Sequence, residues 1–170
     1  MTRNHKIISY QKAGQVAKKL KREGKKIIFK SGCFDIFHIG HARAFHTIKK
    51  QADILFVGVG TDQTLRALKG SDRPFFPEKY RAELLTYLEA VDYVVILDEP
   101  LVGIIDHEKI LSLIRPDYYS LPPDDKALDS KRKMAKKYDT KIKLQTRMKS
   151  EYTEEFISST DVFNRLKKWN

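Results

Sequence analysis

The sequence predicts an α/β fold in which a single, doubly wound parallel sheet carries helices on both faces. Short apolar segments of strand length alternate along the chain with longer segments of helical periodicity. Two of the short segments, residues 53–59 (DILFVGV) and 93–97 (YVVIL), are apolar almost throughout, as strands buried on both faces of a parallel sheet are. Strands and helices that alternate in this way join through right-handed crossovers, which place helices on both sides.

The first elements follow from periodicity and from turn residues. Residues 9–22 are predicted to form an amphipathic helix that Gly24 ends, and residues 26–29 a short strand. The turn after this strand leads into a helix over residues 41–52, and residues 53–59 return the chain to the sheet.

The rest of the chain repeats this alternation. A polar loop over residues 69–77 ends at Pro77, which suits the first turn of a helix over residues 77–91. The remaining predicted elements are a strand over 93–97, a helix over 104–114, a strand over 117–121, a basic helix over 125–138, a strand over 141–144 and a helix over 159–169 with Ser158 or Ser159 as its cap.

The 170 residues, of which 41% are hydrophobic, are predicted to form one packed domain. We expect residues 1–24 to supply a helix that packs on a domain over residues 25–170. The N-terminus lacks the apolar stretch of a signal peptide, and the longest apolar run, residues 54–59, is too short to span a membrane. A single cysteine, Cys33, excludes an internal disulfide, so we expect a cytoplasmic protein.

The net charge of +11 favours anionic partners such as nucleotides, phosphates or nucleic acid. Residues 126–149 hold ten Lys or Arg against two Asp, and therefore most of the excess charge. Two interpretations of this segment stay open, a solvated helix face and a surface that faces a ligand.

The segment after the first predicted strand, residues 31–41 (SGCFDIFHIGH), carries the clearest chemical signal. Its two glycines allow a tight turn and close approach of a ligand, and the helix that follows presents free N–H groups to an anion. His38 and His41 are three residues apart, which brings them to one face of a helical turn. Two imidazoles beside a phosphate site can donate hydrogen bonds to charge that develops on phosphorus.

Three other interpretations of this segment are available. Asp35, His38 and His41 have a spacing that can converge on a transition metal. Cys33 beside a histidine can act as a nucleophile. Both histidines can also be structural, with their ring nitrogens bonded inside the protein.

Residues 32–41 resemble the Gly-x-Phe-Asp-x-x-His-x-Gly-His signature of the cytidylyltransferase-like nucleotidyltransferases, and residues 157–160 resemble the Ile-Ser-Ser/Thr-Thr motif of that superfamily. The resemblance implies a Rossmann-like domain in which His38 and His41 stabilise the transition state, while a helix N-terminus with hydroxyl groups holds the β- and γ-phosphates. The nucleotide contacts that it implies are Gly32, Cys33, Phe34, Asp35, Gly40, Ile157, Ser158, Ser159 and Thr160.

Residues 69–92 make the chain similar to the branch that makes ADP-heptose, and more distantly to glycerol-3-phosphate cytidylyltransferase. The similarity extends over residues 24–166. That branch usually has Lys-Gly-Gly-Asp-Tyr where this chain has residues 118–125 (YYSLPPDD). This segment helps to form the acceptor and base pockets of relatives, so the departure leaves the choice of heptose as the acceptor open, with Asp124 as a candidate for the acidic position.

The reaction that the resemblance implies is in-line attack by a substrate phosphate on the α-phosphorus of a nucleoside triphosphate, with pyrophosphate as the leaving group. Lys69 is assigned to catalysis, in a polar loop that reaches the phosphates. Lys30, Arg81 and Asp124 are the predicted substrate contacts, although Lys30 can also be plainly solvent-exposed and Arg81 can form a surface ion pair with Glu78. No protein metal site is predicted; Mg²⁺ is expected to arrive with the triphosphate.

A structural role is open for Asp62, which follows the second strand and can cap the next helix.

We therefore predict a nucleotidyltransferase that uses ATP or CTP and a small phosphomonoester, such as a sugar or polyol phosphate. The family resemblance implies a homodimer. The alternatives are an FAD synthase or another acceptor on the same scaffold, a catalytically silent module that binds nucleic acid through residues 126–149, and a metal-dependent hydrolase. A membrane partner is not expected, and nucleic acid is the less favoured ligand.

Overall fold

A parallel sheet of five strands forms the centre of the computed structural model, which describes residues 3–146 and 158–168. Its strands are β1 (Ile27–Gly32), β2 (Ile54–Gly60), β3 (Tyr93–Leu97), β4 (Tyr118–Leu121) and β5 (Lys141–Leu144). They lie in the order β3-β2-β1-β4-β5, with every neighbouring pair parallel. The predicted α/β fold with a doubly wound parallel sheet is confirmed.

Helices follow the strands, as the crossovers between parallel strands require. A short 3₁₀ helix (Arg3–Lys6) comes first. The α-helices are α1 (Tyr10–Arg22), α2 (Ile39–Lys49), α3 (Asp62–Lys69), α4 (Glu78–Thr86), α5 (Glu108–Ile114), α6 (Leu128–Lys137) and α7 (Ser159–Lys167). None of the helices in the described ranges combines the length and the apolar character that crossing a membrane would need.

The two faces of the sheet bury different parts of the core. Phe29 of β1 packs on one face with Ala17 of α1 and Ile110 of α5. The next residue back, Ile28, packs on the opposite face with Phe45 of α2. This alternation follows from the two-residue period of a strand. The central strand is therefore covered on both sides, which explains its apolar sequence.

Helix α1 closes one face of the sheet. Ser9 caps it by accepting a hydrogen bond from the backbone N–H of Lys12 at 3.2 Å, as its residue type favours. Ala13 and Ala17 are fully buried, and the helix packs along α5. Helix α1 shares the core of the sheet. The division into residues 1–24 and 25–170 stays a prediction.

Strand β1 is longer than its apolar residues indicate. It continues through Lys30, Ser31 and Gly32, which pair in register with β2 as far as Gly32 and Val59. The predicted turn therefore begins two residues later than expected. The polar residues at this end of the strand stand at the carboxyl edge of the sheet, where a ligand site is expected.

Several helix ends differ from the prediction because local turns override periodicity. Helix α5 begins at Glu108 instead of residue 104, since Val102 and Ile105 form a β-bridge around Gly103, whose φ is 62°. Helix α6 begins at Leu128 instead of residue 125, and α4 ends at Thr86. Helix α2 begins two residues earlier than predicted, at Ile39.

Candidate active site

The strand order places a crevice beside the carboxyl end of β1. The chain leaves β1 for β2 on one side and later returns as β4 on the other side, so the topological switch point lies between β1 and β4. These two strands pair at Ile28 with Tyr118 and at Phe29 with Tyr119. Beyond these pairs β1 still extends as far as Gly32, so its last residues border the crevice.

His38 and His41 form a reciprocal cap at the N-terminus of α2. The Nδ1 atom of His38 accepts a hydrogen bond from the backbone N–H of Gly40 at 3.2 Å, and Nδ1 of His41 accepts one from the N–H of His38 at 3.4 Å. The ring centroids lie 4.0 Å apart. Because Nδ1 accepts in both rings, each neutral imidazole carries its proton on Nε2. The pair thus offers two Nε2–H donors beside a helix N-terminus.

The ring of Phe34 supports the histidine pair by packing against His41. Its φ is 49°, and its ring contacts the ring of His41 edge-on, with centroids 5.6 Å apart. The same ring covers Gly32 so closely that a Cβ built there would lie 2.7 Å from Phe34 Cζ. Gly32 therefore lets the aromatic ring sit under the turn, and any side chain at this position would displace it.

Asp35 anchors the turn to the loop before α4. Its side chain is buried and forms an ion pair with Arg73 Nε. It also accepts hydrogen bonds from the backbone N–H of Phe75 at 2.8 Å and of Phe76 at 3.5 Å. Since its oxygens face these donors, the arrangement does not favour the metal interpretation of Asp35. Within the described ranges, His, Cys, Asp and Glu side chains form no cluster of three suited to a metal.

Arg81 is a buried anchor of the same turn. It is 2% exposed, and its guanidinium donates to the carbonyl of Cys33 at 2.5 Å, to the carbonyl of Phe76 at 2.9 Å and to Asp62 Oδ1 at 2.7 Å. The interpretation of Arg81 as a surface partner of Glu78 is wrong. With three protein acceptors it positions the turn, and its predicted contact with substrate stays a prediction.

The cap of α3 also differs from the interpretation made for Asp62. Thr61 caps this helix by accepting the N–H of Thr64 at 3.1 Å, and Asp62 is the first helical residue. Glu78 accepts the N–H of Asp62 at 2.8 Å. Asp62 thus pairs with Arg81 and links α3 to α4.

Cys33 lies in the turn after β1, near enough to Lys69 for the lysine charge to act on its thiol. Burial raises the pKa of the Cys33 thiol, and the nearby positive charges of Lys69 and Arg81 oppose this only in part. A thiol whose pKa is raised is a poor nucleophile, which argues against the nucleophile interpretation. Lys69 is exposed and is the last residue of α3, so its assignment to a loop is wrong.

The remaining predicted substrate residues lie on the β4 side. Lys30 is half-buried, and its Nζ donates to the carbonyl of Ser120 across the switch point at 3.5 Å. Asp124 is exposed in the turn between β4 and α6. Lys30 therefore borders the crevice and is not plainly solvent-exposed, and the substrate role of Asp124 stays a prediction.

Helix α7 packs against the histidine turn. Ser159 Oγ donates to the carbonyl of Ile36 at 2.9 Å. Phe163 covers the guanidinium of Arg73 at 4.7 Å from its ring centroid and meets Phe75 edge-on at 5.5 Å. The structure thus brings the two predicted motifs together. Of the second motif, Ile157 lies outside the described residues, and the nucleotide contacts of Ser158, Ser159 and Thr160 stay predictions.

Arg73 is a site residue that the sequence analysis missed. It is 3% exposed, paired with Asp35 and covered by Phe163, so it links the turn, the loop and α7. The pattern Arg-Pro within the loop was the available signal. An Arg is typical of a surface loop, and only the packing of three distant segments shows that this one is buried.

A cavity of about 810 Å³ lies at the carboxyl ends of β2 and β3. It shares Asp62 with the Arg81 anchor, so it adjoins the histidine turn. Carboxylates are prominent among its lining residues, which include Thr61, Asp62, Gln63, Arg66, Glu78, Lys79, Asp98 and Glu99. Such a lining suits a ligand rich in hydroxyl groups.

The basic segment, residues 126–149, is partly neutralised by ion pairs. Helix α6 carries most of its charge on exposed side chains. The ion pairs made by this helix are Lys131 with Asp125 at 2.8 Å, Arg132 with Asp129 at 3.5 Å and Lys137 with Glu108 at 2.8 Å. These pairs favour a solvated helix face for the segment.

The chain is similar to known proteins over most of its length. A family model described as cytidylyltransferase-like matches residues 29–165. The chain is similar to the bifunctional protein HldE of a Nitratiruptor species, with 40% identity over 111 residues that cover 65% of this chain and 23% of that protein. It is also similar to bifunctional protein HldE of Geobacter metallireducens, with 46% identity over 79 residues, 46% of this chain and 16% of that protein. The chain thus spans less than a quarter of these relatives.

Two solved structures share the fold. The lipopolysaccharide core biosynthesis protein from Thermoplasma volcanium GSS1 has a TM-score of 0.60 and 27% identity, and the match covers 75% of this chain and all (100%) of that one. Pantoate-β-alanine ligase from Francisella tularensis has a TM-score of 0.64 over 95% of this chain and 76% of that one. At 17% identity the second likeness shows the fold alone.

Proposed function

The chain belongs to the cytidylyltransferase-like family and is a nucleotidyltransferase; we propose that it transfers a nucleotidyl group from ATP or CTP to a sugar phosphate and releases pyrophosphate. The family resemblance predicted from residues 32–41 is confirmed, and the similarity to HldE proteins supports the ADP-heptose branch. The identities of the nucleotide and of the acceptor are the parts proposed.

The reciprocal cap of His38 and His41 is the observation that carries the proposal. An acceptor phosphate oxygen attacks the α-phosphorus, a new P–O bond forms, and the bond to the bridging oxygen of the β-phosphate breaks. Negative charge grows on the oxygens around the α-phosphorus and on the departing pyrophosphate. Two Nε2–H donors held in place before the reaction stabilise that charge without reorganisation. No covalent intermediate with the protein is needed, so positioning and charge supply the catalysis.

The site residues fit a metal ion that arrives with the nucleotide. The carboxylates nearest the turn are engaged, Asp35 by Arg73 and Asp62 by Arg81. Mg²⁺ bound to triphosphate oxygens and water needs few protein ligands, which agrees with the engagement of these two carboxylates. When bound, the ion would neutralise the charge of the leaving pyrophosphate.

The acceptor proposal rests on the relatives and on the cavity at the carboxyl ends of β2 and β3. One similar structure is that of a lipopolysaccharide core biosynthesis protein. The carboxylate of Asp98, which lines the cavity, is suited to accept hydrogen bonds from sugar hydroxyls. The phosphate of the same acceptor would extend toward the histidine turn, with Lys69 and Lys30 as the predicted cations.

Pyrophosphate release tests this function directly. The protein would be incubated with Mg²⁺ and either ATP or CTP, together with a panel of sugar phosphates, polyol phosphates and riboflavin phosphate. We expect release with one nucleotide and a sugar phosphate, with the nucleotide sugar identified by its mass. Release only with riboflavin phosphate would replace the proposal by FAD synthesis, and release with none of the acceptors by a folded protein would contradict it.

A further inference from the structure

A buried chain of hydrogen bonds ends beside the active-site turn. Asp106 Oδ1 lies 2.9 Å from His107 Nδ1, His107 Nε2 lies 2.7 Å from the Tyr119 hydroxyl, and that hydroxyl lies 2.7 Å from Ser31 Oγ. His107 is 2% exposed and Tyr119 is fully buried, whereas Ser31 is half-buried. This chain of hydrogen bonds therefore runs from the buried His107 and Tyr119 to the half-buried Ser31, where it ends.

The outer end of this chain lies at the switch point. Ser31 is on β1 and Tyr119 is on β4, and their hydroxyl contact spans the strands just beyond the last register pair of Phe29 with Tyr119. Lys30 crosses the same gap to the carbonyl of Ser120. At the other end, Asp106 lies over the end of β2, where a Cβ built on Gly60 would come within 3.3 Å of its Oδ2. The chain of hydrogen bonds thus lies along the carboxyl edge of the sheet, where the crevice opens.

The direction of each hydrogen bond follows from the chemistry of the groups. A carboxylate only accepts, so His107 Nδ1–H donates to Asp106, and in this tautomer Nε2 accepts. Burial raises the pKa of Tyr119 above its ordinary value, so the phenol keeps its proton. It donates that proton to His107 Nε2 and therefore accepts from Ser31.

The Ser31 hydroxyl is then unable to donate a hydrogen bond to a ligand. Its proton points to Tyr119, and only its lone pairs remain for a group in the crevice. A phosphate oxygen, which is itself an acceptor, would be repelled by those lone pairs. A hydroxyl or an amino group would be accepted. We propose that Ser31 contacts the bound nucleotide as an acceptor for a hydroxyl or amino group, and that Tyr119, His107 and Asp106 fix the Ser31 hydroxyl in that orientation.

This inference rests on the proposed function, because it needs a nucleotide in the crevice. It adds Ser31 as a binding residue and the other three as positioning residues that act through it. Sequence reasoning gives no sign of the chain, since its members come from β1, β4 and the turn before α5.

The orientation is tested without any ligand by ¹⁵N NMR of the imidazoles. At neutral pH we expect His107 as the Nδ1–H tautomer, and His38 and His41 as the opposite, Nε2–H tautomer. The contrast within one protein provides its own reference. An Nε2–H tautomer at His107 would reverse the hydrogen bond to Tyr119 and overturn the inference.

The contact is tested by the affinity for Mg²⁺-ATP and Mg²⁺-CTP, measured by calorimetry. We expect Ser31→Ala to weaken binding about fivefold, the effect of one hydrogen bond, and Ser31→Thr to retain it. Tyr119→Phe should weaken binding about threefold, but should have no further effect in the Ser31→Ala background, because it acts only through Ser31. Tyr93→Phe removes a hydroxyl at the start of β3, the end of that strand away from the crevice, and should leave affinity unchanged.

Each other outcome has a distinct meaning. Equal effects of Tyr119→Phe in both backgrounds would show that Tyr119 acts through strand packing alone, and would overturn the inference while nucleotide binding stands. Ser31→Ala with the affinity of the wild type would do the same. Failure of the wild-type protein to bind either nucleotide would overturn both this inference and the proposed function.

Discussion

The backbone N–H of His38 donates to Nδ1 of His41, so one ring of the histidine pair is held by the main chain of the other. A cap of this kind uses Nδ1 of each ring for structure, whereas the proposed catalytic role uses Nε2. The two roles can therefore be separated by substitution.

Asparagine and glutamine separate these roles at His41. The amide of Asn can place its oxygen near the position of Nδ1 and keep the cap, while it loses the donor at Nε2. We expect His41→Asn to lower kcat by about 10²–10³-fold while Tm stays near that of the wild type. Gln at the same position reaches the Nε2 position and should keep more activity at a lower Tm. Steady-state kinetics and thermal unfolding of both variants check this, and near-normal turnover of His41→Asn would contradict the mechanism.

Gly32 should tolerate no side chain. A Cβ at this position would lie 2.7 Å from the Phe34 ring, which supports His41. We expect Gly32→Ala to weaken nucleotide binding at least tenfold. Gly24→Ala is the matched control, because Gly24 has a φ of 76° with nothing within 4 Å of its Cβ position. It should lower stability by about 1 kcal/mol through backbone strain and leave affinity unchanged.

Arg81 should be sensitive even to a conservative change. Lys cannot reproduce a planar group that donates to Cys33, Phe76 and Asp62 at once. We expect Arg81→Lys to lower the free energy of unfolding by about 2–3 kcal/mol and to raise KM. Urea denaturation with kinetics measures both effects. Arg22→Lys, an exposed change at the end of α1, is the control. A wild-type KM in a destabilised Arg81→Lys protein would restrict Arg81 to folding.

Cys33 should be dispensable as a thiol. Burial raises its pKa, and the atom that Arg81 binds is its backbone carbonyl. We expect Cys33→Ala to retain kcat within about threefold, since alanine keeps that carbonyl. Alkylation of the wild-type thiol should be slow at neutral pH and should become fast only above its raised pKa, at higher pH than for an ordinary thiol. Loss of turnover by several orders of magnitude in Cys33→Ala would revive the nucleophile interpretation.

Stability should depend on acid pH partly through Asp117. Burial alone would raise the pKa of Asp117, but the hydrogen bond from the N–H of Ile27 and the ion pair with Lys26 outweigh it and hold the pKa below its ordinary value. A lowered pKa stabilises the fold above the ordinary value of about 4, and this contribution is lost as pH falls through the lowered pKa. The stability difference between wild type and Asp117→Asn should therefore shrink as pH falls below about 4. A difference independent of pH would contradict this assignment.

The sequence predicts the elements whose signals are local. Strands β3 and β5 match their predicted bounds, because their apolar or alternating residues are flanked by clear turn residues. Helix α5 is mispredicted at its start because the bridge between Val102 and Ile105 depends on tertiary position. Periodicity cannot detect such a turn.

The candidate site likewise contains residues with a local sequence signal and residues that only tertiary contacts reveal. Residues 32–41 are recognisable because the chemistry of phosphate binding requires their spacing within one turn. Arg73 and His107 give no signal in the sequence, since each is placed near the site only by contacts with distant segments, Arg73 with α7 and His107 with β4. Burial of Arg81 was missed for the same reason, because its three acceptors belong to separate segments.

The hydrogen bond from Ser159 to the carbonyl of Ile36 joins residues 123 positions apart. During synthesis the histidine turn leaves the ribosome long before its partner exists, and contacts of such long range form late in folding. The turn is therefore completed only after α7 has been made. Nucleotide binding would then depend on this later segment as well as on the histidines, and a chain cut short before residue 158 would carry the histidines without the helix that packs on them.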